Sequence, residues 1–146
     1  MTTEFLGFDH IDTRVWSLAV TESFYDQLMP KLGLPRKRHA YVDENGDWFD
    51  APDGERYNAV EYYEPKTSGA AVHFIGFIED SSMQPVGTRI AFRIASPDDL
   101  AKWWTFLNSV GAINIERSAD PVGYPAIFFE DPCGTKLEIC CRQPEK

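Results

Sequence analysis

Basic residues are scarce in this chain. Lysine and arginine number 14 against 23 aspartates and glutamates, a formal net charge of −9 with a pI near 4.7, and such a surface repels phosphate backbones and anionic lipid headgroups. No nucleic-acid partner is expected. Long apolar runs are missing as well. The longest near-apolar stretch, Ala70 to Ile78, is interrupted by His73 and falls far short of the roughly 20 residues that cross a bilayer, so no membrane span is expected. The opening MTTEFLGFDH carries Glu4 and no basic stretch ahead of an apolar run, unlike a secretory signal, and the expected location is cytoplasmic. Cysteine is sparse. Cys133, Cys140 and Cys141 are odd in number and lack C-x-x-C spacing. Neighbours on a strand point to opposite faces, so 140 and 141 are expected as reduced thiols rather than as a disulfide or a shared metal site.

What is there suits a globular fold. At 146 residues, 43% hydrophobic and 25% charged, the chain is expected to form a single domain over 1–146, burying about 68 to 70% of the surface its unfolded form exposes. A core of that size needs no structural metal, so any metal would be functional. Two segments resemble each other. HIDTRVWSLAVTESFYDQL from His10 aligns with RIAFRIASPDDLAKWWTFL from Arg89, with identities at Ile11/Ile90, Arg14/Arg93, Ser17/Ser96 and Leu28/Leu107, and Phe24 and Tyr25 falling on Trp103 and Trp104. The chain therefore reads as two copies of one module, about 1–80 and about 86–142.

Each copy opens with alternation: Ile11, Thr13 and Val15 against His10, Asp12 and Arg14 in the first, and Ile90, Phe92 and Ile94 in the second, the period of a half-exposed strand. The spacing then lengthens to that of a helix, with Phe24, Leu28 and Leu32 in one copy and Leu100, Trp104, Leu107 and Val110 in the other. Thr21 and Ser96 are the expected N-caps, with Pro97 at a first helical position and Gly33 and Gly111 as stops. Pro30 should kink or shorten the first helix. Strand-like runs follow: Arg38 to Val42, Tyr57 to Tyr63 and Val72 to Ile78, then Ile113 to Glu116, Ala126 to Glu130 and Lys136 to Cys141. Turn clusters such as Glu44-Asn45-Gly46-Asp47 and Asp131-Pro132-Cys133-Gly134 separate them. The pattern predicts an α+β protein of two βαβββ modules, each with a helix on one sheet face and the other face left to line a ligand cleft.

Three segments carry a resemblance: FDHIDTRVWSLAVTESFYDQLMPKLGL, TRIAFRIASPDDLAKWWTFLNSVGA and YPAIFFEDPCGTKLEIC, the last with its F-F-E-D-P-x-G-x-x-x-E-I ending. Together they resemble the vicinal oxygen chelate superfamily, which includes glyoxalase I, extradiol dioxygenases, fosfomycin resistance enzymes and bleomycin resistance proteins. The likeness is weak only from about Lys37 to Ser68. It implies paired βαβββ modules forming a curved mixed sheet around a pocket, a homodimer, and metal ligands drawn from the first and last strand of each module. Position by position, it places a first-strand ligand on His10 and a last-strand glutamate on Glu138. For the Val72 to Ile78 strand it leaves His73, or Glu79 just beyond, as the candidate. Arg89 stands where metal-binding relatives usually carry histidine.

Two versions of the site stay open. In one, His10, His73 and Glu138 hold a divalent metal (Fe, Zn, Ni or Mn) with open positions for substrate oxygens. In the other, Arg89, permanently protonated and without a lone pair, replaces the metal, pairing with Glu138 and offering its donors to a substrate oxyanion. A static buried ion pair is the bland counterpart. Asp12 and Arg14 share a strand face with His10 and are candidates for contact with substrate, as is Tyr124 at the pocket mouth. The run Arg36-Lys37-Arg38-His39 is expected as a solvated strand start. The expected function is a glyoxalase-related enzyme acting on a small molecule with neighbouring oxygens, as a lyase, isomerase, epimerase or dioxygenase, with Glu138 ligating and shuttling a proton. The alternative is a metal-free ligand-sequestering protein of the bleomycin resistance type, which an acidic chain suits.

Overall fold

The computed structural model describes residues 4–66 and 72–142; Ser68 and Ala70 lie outside the described residues. The chain is mixed α+β and divides into two compact units, Met1–Leu18 with Met29–Ser81 and Ala19–Leu28 with Ser82–Lys146.

In the first unit, β1 (His10–Val15), β2 (Arg36–Val42), β3 (Trp48–Asp50), β4 (Ala59–Tyr63) and β5 (Phe74–Glu79) form one sheet in the order β1-β5-β4-β2-β3. The first strand runs parallel to the last, and the remaining pairs are antiparallel. Alternation puts Val15, Ile75, Phe77, Val60 and Tyr62 on one face, all buried, with the Tyr62 and Phe77 rings edge to face at 6.1 Å. Burying each such side chain contributes about 1.5 to 3 kcal/mol.

The short strand β3 goes beyond the three strands expected after the helix. Asp43 Oδ1 accepts from the N–H groups of Asn45 and Asp47, and Gly46 adopts the left-handed conformation (φ 84°), so the chain reverses tightly. Only three residues return, too few for a period to show. The Asn58 side chain both donates to and accepts from the Val42 backbone at 2.8 Å. Tyr57 and Asn58 therefore belong to the turn, and β4 begins at Ala59 rather than Tyr57.

Helix α1 (Leu18–Lys31) starts ahead of Thr21, which is buried inside the helix and does not cap it. The cap comes from the far end of β5, where Glu79 accepts from the Leu18 N–H at 2.8 Å. At the other end the Gly33 N–H donates to the Pro30 carbonyl and the Leu34 N–H to that of Met29. Gly33 sits at φ 89°, the left-handed stop that glycine takes at least cost. Pro30 lies in the last turn, one residue before the helix ends.

In the second unit, β6 (Arg89–Arg93), β7 (Ile113–Arg117), β8 (Ala126–Glu130) and β9 (Lys136–Cys140) form a sheet ordered β6-β9-β8-β7, again with first and last strands paired in parallel. Ser96 accepts from the Asp98 N–H at 3.2 Å with Pro97 following, but it caps a 3₁₀ turn, Pro97–Asp99, that leads into α2 (Leu100–Ser109). Trp103 and Leu107 are the buried residues of α2. The D-P-C-G stretch is organised by Asp131, whose carboxylate is fully buried. It accepts from the N–H groups of Cys133 and Thr135 and, at 2.5 Å, from the hydroxyl of Tyr25, so neither oxygen is left unsatisfied. The three cysteines are buried thiols. No helix among the described residues is long and apolar enough to cross a membrane.

Candidate functional site

In the first unit, His10, Asp12 and Arg14 share one face of β1. The register carries that face across the sheet, with Asp12 beside Gly76, Gly76 beside Glu61, and Glu61 beside Arg38. Gly76 explains how two carboxylates approach. A Cβ there would lie 2.7 Å from Asp12 Oδ1 and 3.7 Å from Glu61 Cγ, so the bare backbone is what lets the Asp12 side chain fold over the sheet. Glu61 is a buried carboxyl with Arg38 Nη1 3.9 Å away. Burial pushes its pKa up, the Arg38 charge opposes that rise, and the Asp12 charge adds to it.

His10 lies at the open end of this face. Its Nδ1 is 2.6 Å from Asp9 and its Nε2 3.6 Å from Asp12. Its ring stacks flat on Phe74 at 4.6 Å, Phe74 stacks on Tyr63, and the Arg36 guanidinium lies over Tyr63. The hydrogen bond to Asp9 raises the imidazole pKa, with the Asp12 and Glu61 charges adding to the effect and burial opposing it. His73 does not join His10. It precedes β5, and its Nδ1 lies 3.1 Å from Glu64 while its backbone N–H donates to the same carboxylate. Glu79 is committed to the start of α1. Arg14 is exposed on the shared face.

In the second unit, Glu138 sits mid-strand in β9 beside Ala91 on one side and Phe128 on the other. It is 5% exposed and accepts a short hydrogen bond from the Tyr124 hydroxyl. That bond, first of all, pushes the phenol pKa up; burial and the neighbouring Cys140 thiol add to it. Cys140 is two residues from Glu138 on the same strand face, and the Arg142 guanidinium lies 5.4 Å from the centre of the Tyr124 ring. Sequence reasoning left both out, although period-two spacing from Glu138 points to Cys140.

Arg89 is exposed at the start of β6 and shares that face, but it does not form the expected ion pair. Its guanidinium lies over the Phe128 ring at 4.6 Å rather than against Glu138, because the register sets it opposite Lys136, two pairs along from Glu138 and Ala91. The Arg89 charge reaches Glu130, whose pKa is lowered by the hydrogen bond from Asn114 first, then by Lys136 and Arg89, with burial opposing. The face thus offers a buried carboxylate with a phenol on it, an aromatic platform, and an arginine held by stacking with its donor edge unspent.

The donor set does not fit a resident divalent metal held by His10, His73 and Glu138. His73 is engaged with Glu64, and Arg89 offers no lone pair at the remaining position. Among the described residues no group of three or more His, Cys, Asp or Glu side chains is arranged to hold a metal ion.

The model of the glyoxalase/bleomycin resistance protein/dioxygenase superfamily matches residues 7–139. No curated protein matches the chain. Among solved structures, the fosfomycin resistance protein FosX from Mesorhizobium loti aligns with a TM-score of 0.58 over 94% of this chain and 92% of that one, at 14% identity. A point mutant of FosX from Listeria monocytogenes, in complex with Mn(II) and dihydroxypropylphosphonic acid, gives 0.58 over 94% and 93% at 18% identity. A glyoxalase/bleomycin resistance protein from Albidiferax ferrireducens gives 0.56 over 93% and 98%, also at 18% identity. At these identities the likeness is one of fold.

Proposed function

The chain belongs to the glyoxalase/bleomycin resistance protein/dioxygenase superfamily, and from that premise we propose that it is a small-molecule enzyme acting on an organic substrate with neighbouring oxygens, with Glu138 as proton acceptor and Arg89 as the charge that receives a substrate oxyanion. The observation that carries this reading is that a buried, phenol-bound carboxylate shares one sheet face with an arginine at the position where the resemblance implies a histidine ligand.

The chemistry follows from those groups. A carbon beside a carbonyl gives up its proton to Glu138, the electron pair moves onto the carbonyl oxygen, and Arg89 stabilises the oxyanion that forms. Return of the proton from Glu138 to the other side of the same carbon completes an epimerisation; return to the neighbouring carbon of a hydroxyketone, with the hydroxyl proton passing to the oxyanion, completes an isomerisation, and neither needs an oxidant. Tyr124 holds Glu138 in place and leaves it lone pairs for the incoming proton. Among the described residues no group of three His, Cys, Asp or Glu side chains is arranged for a metal such as the Mn(II) of the FosX complex, and the proposed step runs through side chains. In this reading the chain works as a homodimer, as the resemblance implies.

The acidic row of the first unit, Asp9, Asp12 and Glu61 around His10, favours a second reading, a protein that sequesters a cationic ligand without turnover. Solvent exchange separates the two. Small 2-hydroxy acids, 2-oxo acids and hydroxyketones incubated with the protein in D2O should take up deuterium at the carbon beside the carbonyl, followed by proton NMR. Glu138→Gln should slow that exchange by about a hundredfold or more. No exchange with any compound, or exchange undiminished in Glu138→Gln, overturns the catalytic reading.

A further inference from the structure

The second unit carries a cavity that the chemistry of Glu138 does not use. Its volume is about 310 Å3, with walls from Pro97, Leu100, Ala101, Pro121, Pro125 and Ile127 and with Arg117 also lining it. The register places it. Arg117 pairs with Ile127 and Glu116 with Phe128, which itself pairs with Glu138. Since side chains alternate across a strand, Arg117 and Ile127 face the α2 side of the sheet and Glu138 the other. Arg117 and Glu138 thus lie on opposite faces of the sheet, although Ala126, which also lines the cavity, is on the strand face of Glu138.

We propose that this cavity binds a small apolar carboxylate, an aromatic or branched monoanion, with the carboxylate on Arg117. Three observations converge on that class. First, three of the walls are prolines, whose fixed φ keeps the cavity open without a ligand, and apart from Arg117 and Ser118 the remaining walls are aliphatic, so the body of the ligand is apolar. Second, Arg117 is the one cationic side chain in the lining, and among the described residues no carboxylate pairs with it. Arg117 is exposed, so its charge is accessible to an anion that enters from solvent. Third, the guanidinium lies 4.5 Å over the Trp104 ring. Stacking fixes the plane of the fork and leaves its edge to make two parallel hydrogen bonds, the geometry a carboxylate matches. Asp120, an acid in the neighbouring loop, accepts from the Gly123 N–H at 2.9 Å through its Oδ1. A doubly charged phosphate would have to shed far more hydration against these walls than a monoanion does.

Calorimetric titration with sodium benzoate tests the proposal on the intact chain, with benzamide as the neutral twin of the same shape. Benzoate should saturate with a Kd of about 1 mM, and benzamide should bind at least tenfold more weakly. Arg117→Gln, an exposed substitution, should weaken benzoate at least tenfold while leaving benzamide unchanged. Ala101→Trp, which fills the cavity from α2, should weaken both. Glu138→Gln should leave benzoate binding as it is, so the failure of the catalytic reading would not touch this one. Equal binding of the two probes, benzoate binding that survives Arg117→Gln, or no saturable binding at all overturns it.

Discussion

Tyr124 donates its hydroxyl to Glu138, and the two are positioned by separate parts of the chain. Glu138 is set by the pairing of β9, and Tyr124 by the turn before β8, where its N–H donates to the Asp120 carbonyl at 2.9 Å. Removing the phenol oxygen leaves a carboxylate at 5% exposure without that donor. Tyr124→Phe is therefore expected to cost about 1 to 3 kcal/mol in urea unfolding, and to slow deuterium uptake by about tenfold through a misplaced base. Tyr124→Phe with unchanged stability and unchanged exchange would show that the hydrogen bond organises nothing.

The Tyr25–Asp131 bond has a signature in alkali. Burial, then the Asp131 charge and hydrogen bond, hold the Tyr25 pKa well above its ordinary value of 10.0. A group whose folded pKa is raised contributes stability that is complete below its unfolded pKa and lost as pH climbs from there towards the folded value. Wild type should thus lose stability above about pH 10 in part through this residue. Tyr25→Phe should be less stable by about 1 to 3 kcal/mol at pH 7, with a shallower alkaline decline. Thermal melts from pH 7 to pH 11 measure both; parallel alkaline slopes for the two proteins would contradict it.

His10 reports on the acidic row. Its pKa is raised above 6.5 chiefly by Asp9 and further by Asp12 and Glu61, so the stabilisation it brings is complete below the unfolded value and fades as pH rises through the folded one. An NMR titration of the ring should show a midpoint above 6.5 in wild type that falls towards it in Asp9→Asn. Gly76→Ala should give a smaller fall, because the new Cβ meets Asp12 Oδ1 at 2.7 Å and must push that carboxylate away from the ring. A midpoint that neither substitution moves would show that these charges do not reach the imidazole.

Much of the fold was legible because the features that specify it are local. Gly33 and Gly111 stop their helices at positive φ, and alternation through His10–Val15 and Arg89–Arg93 marks two strands that take the same place in two sheets. The start of α1 was not legible, since its cap, Glu79, lies 61 residues away. The same limit applies to the site. The family resemblance singled out Glu138, and its place before the final hairpin singled out Tyr124, but no spacing shows that Arg89 stacks on Phe128 instead of pairing with Glu138, or that His73 turns to Glu64. Those outcomes depend on which strand lies beside which, and on one residue of register.

The proposed proton transfer by Glu138, with the positive charge of Arg89 receiving the oxyanion, is tested most directly by deuterium uptake before and after exhaustive dialysis against EDTA, and again after adding manganese. The account predicts the same rate in all three samples. A rate that collapses on chelation and returns with manganese would contradict it.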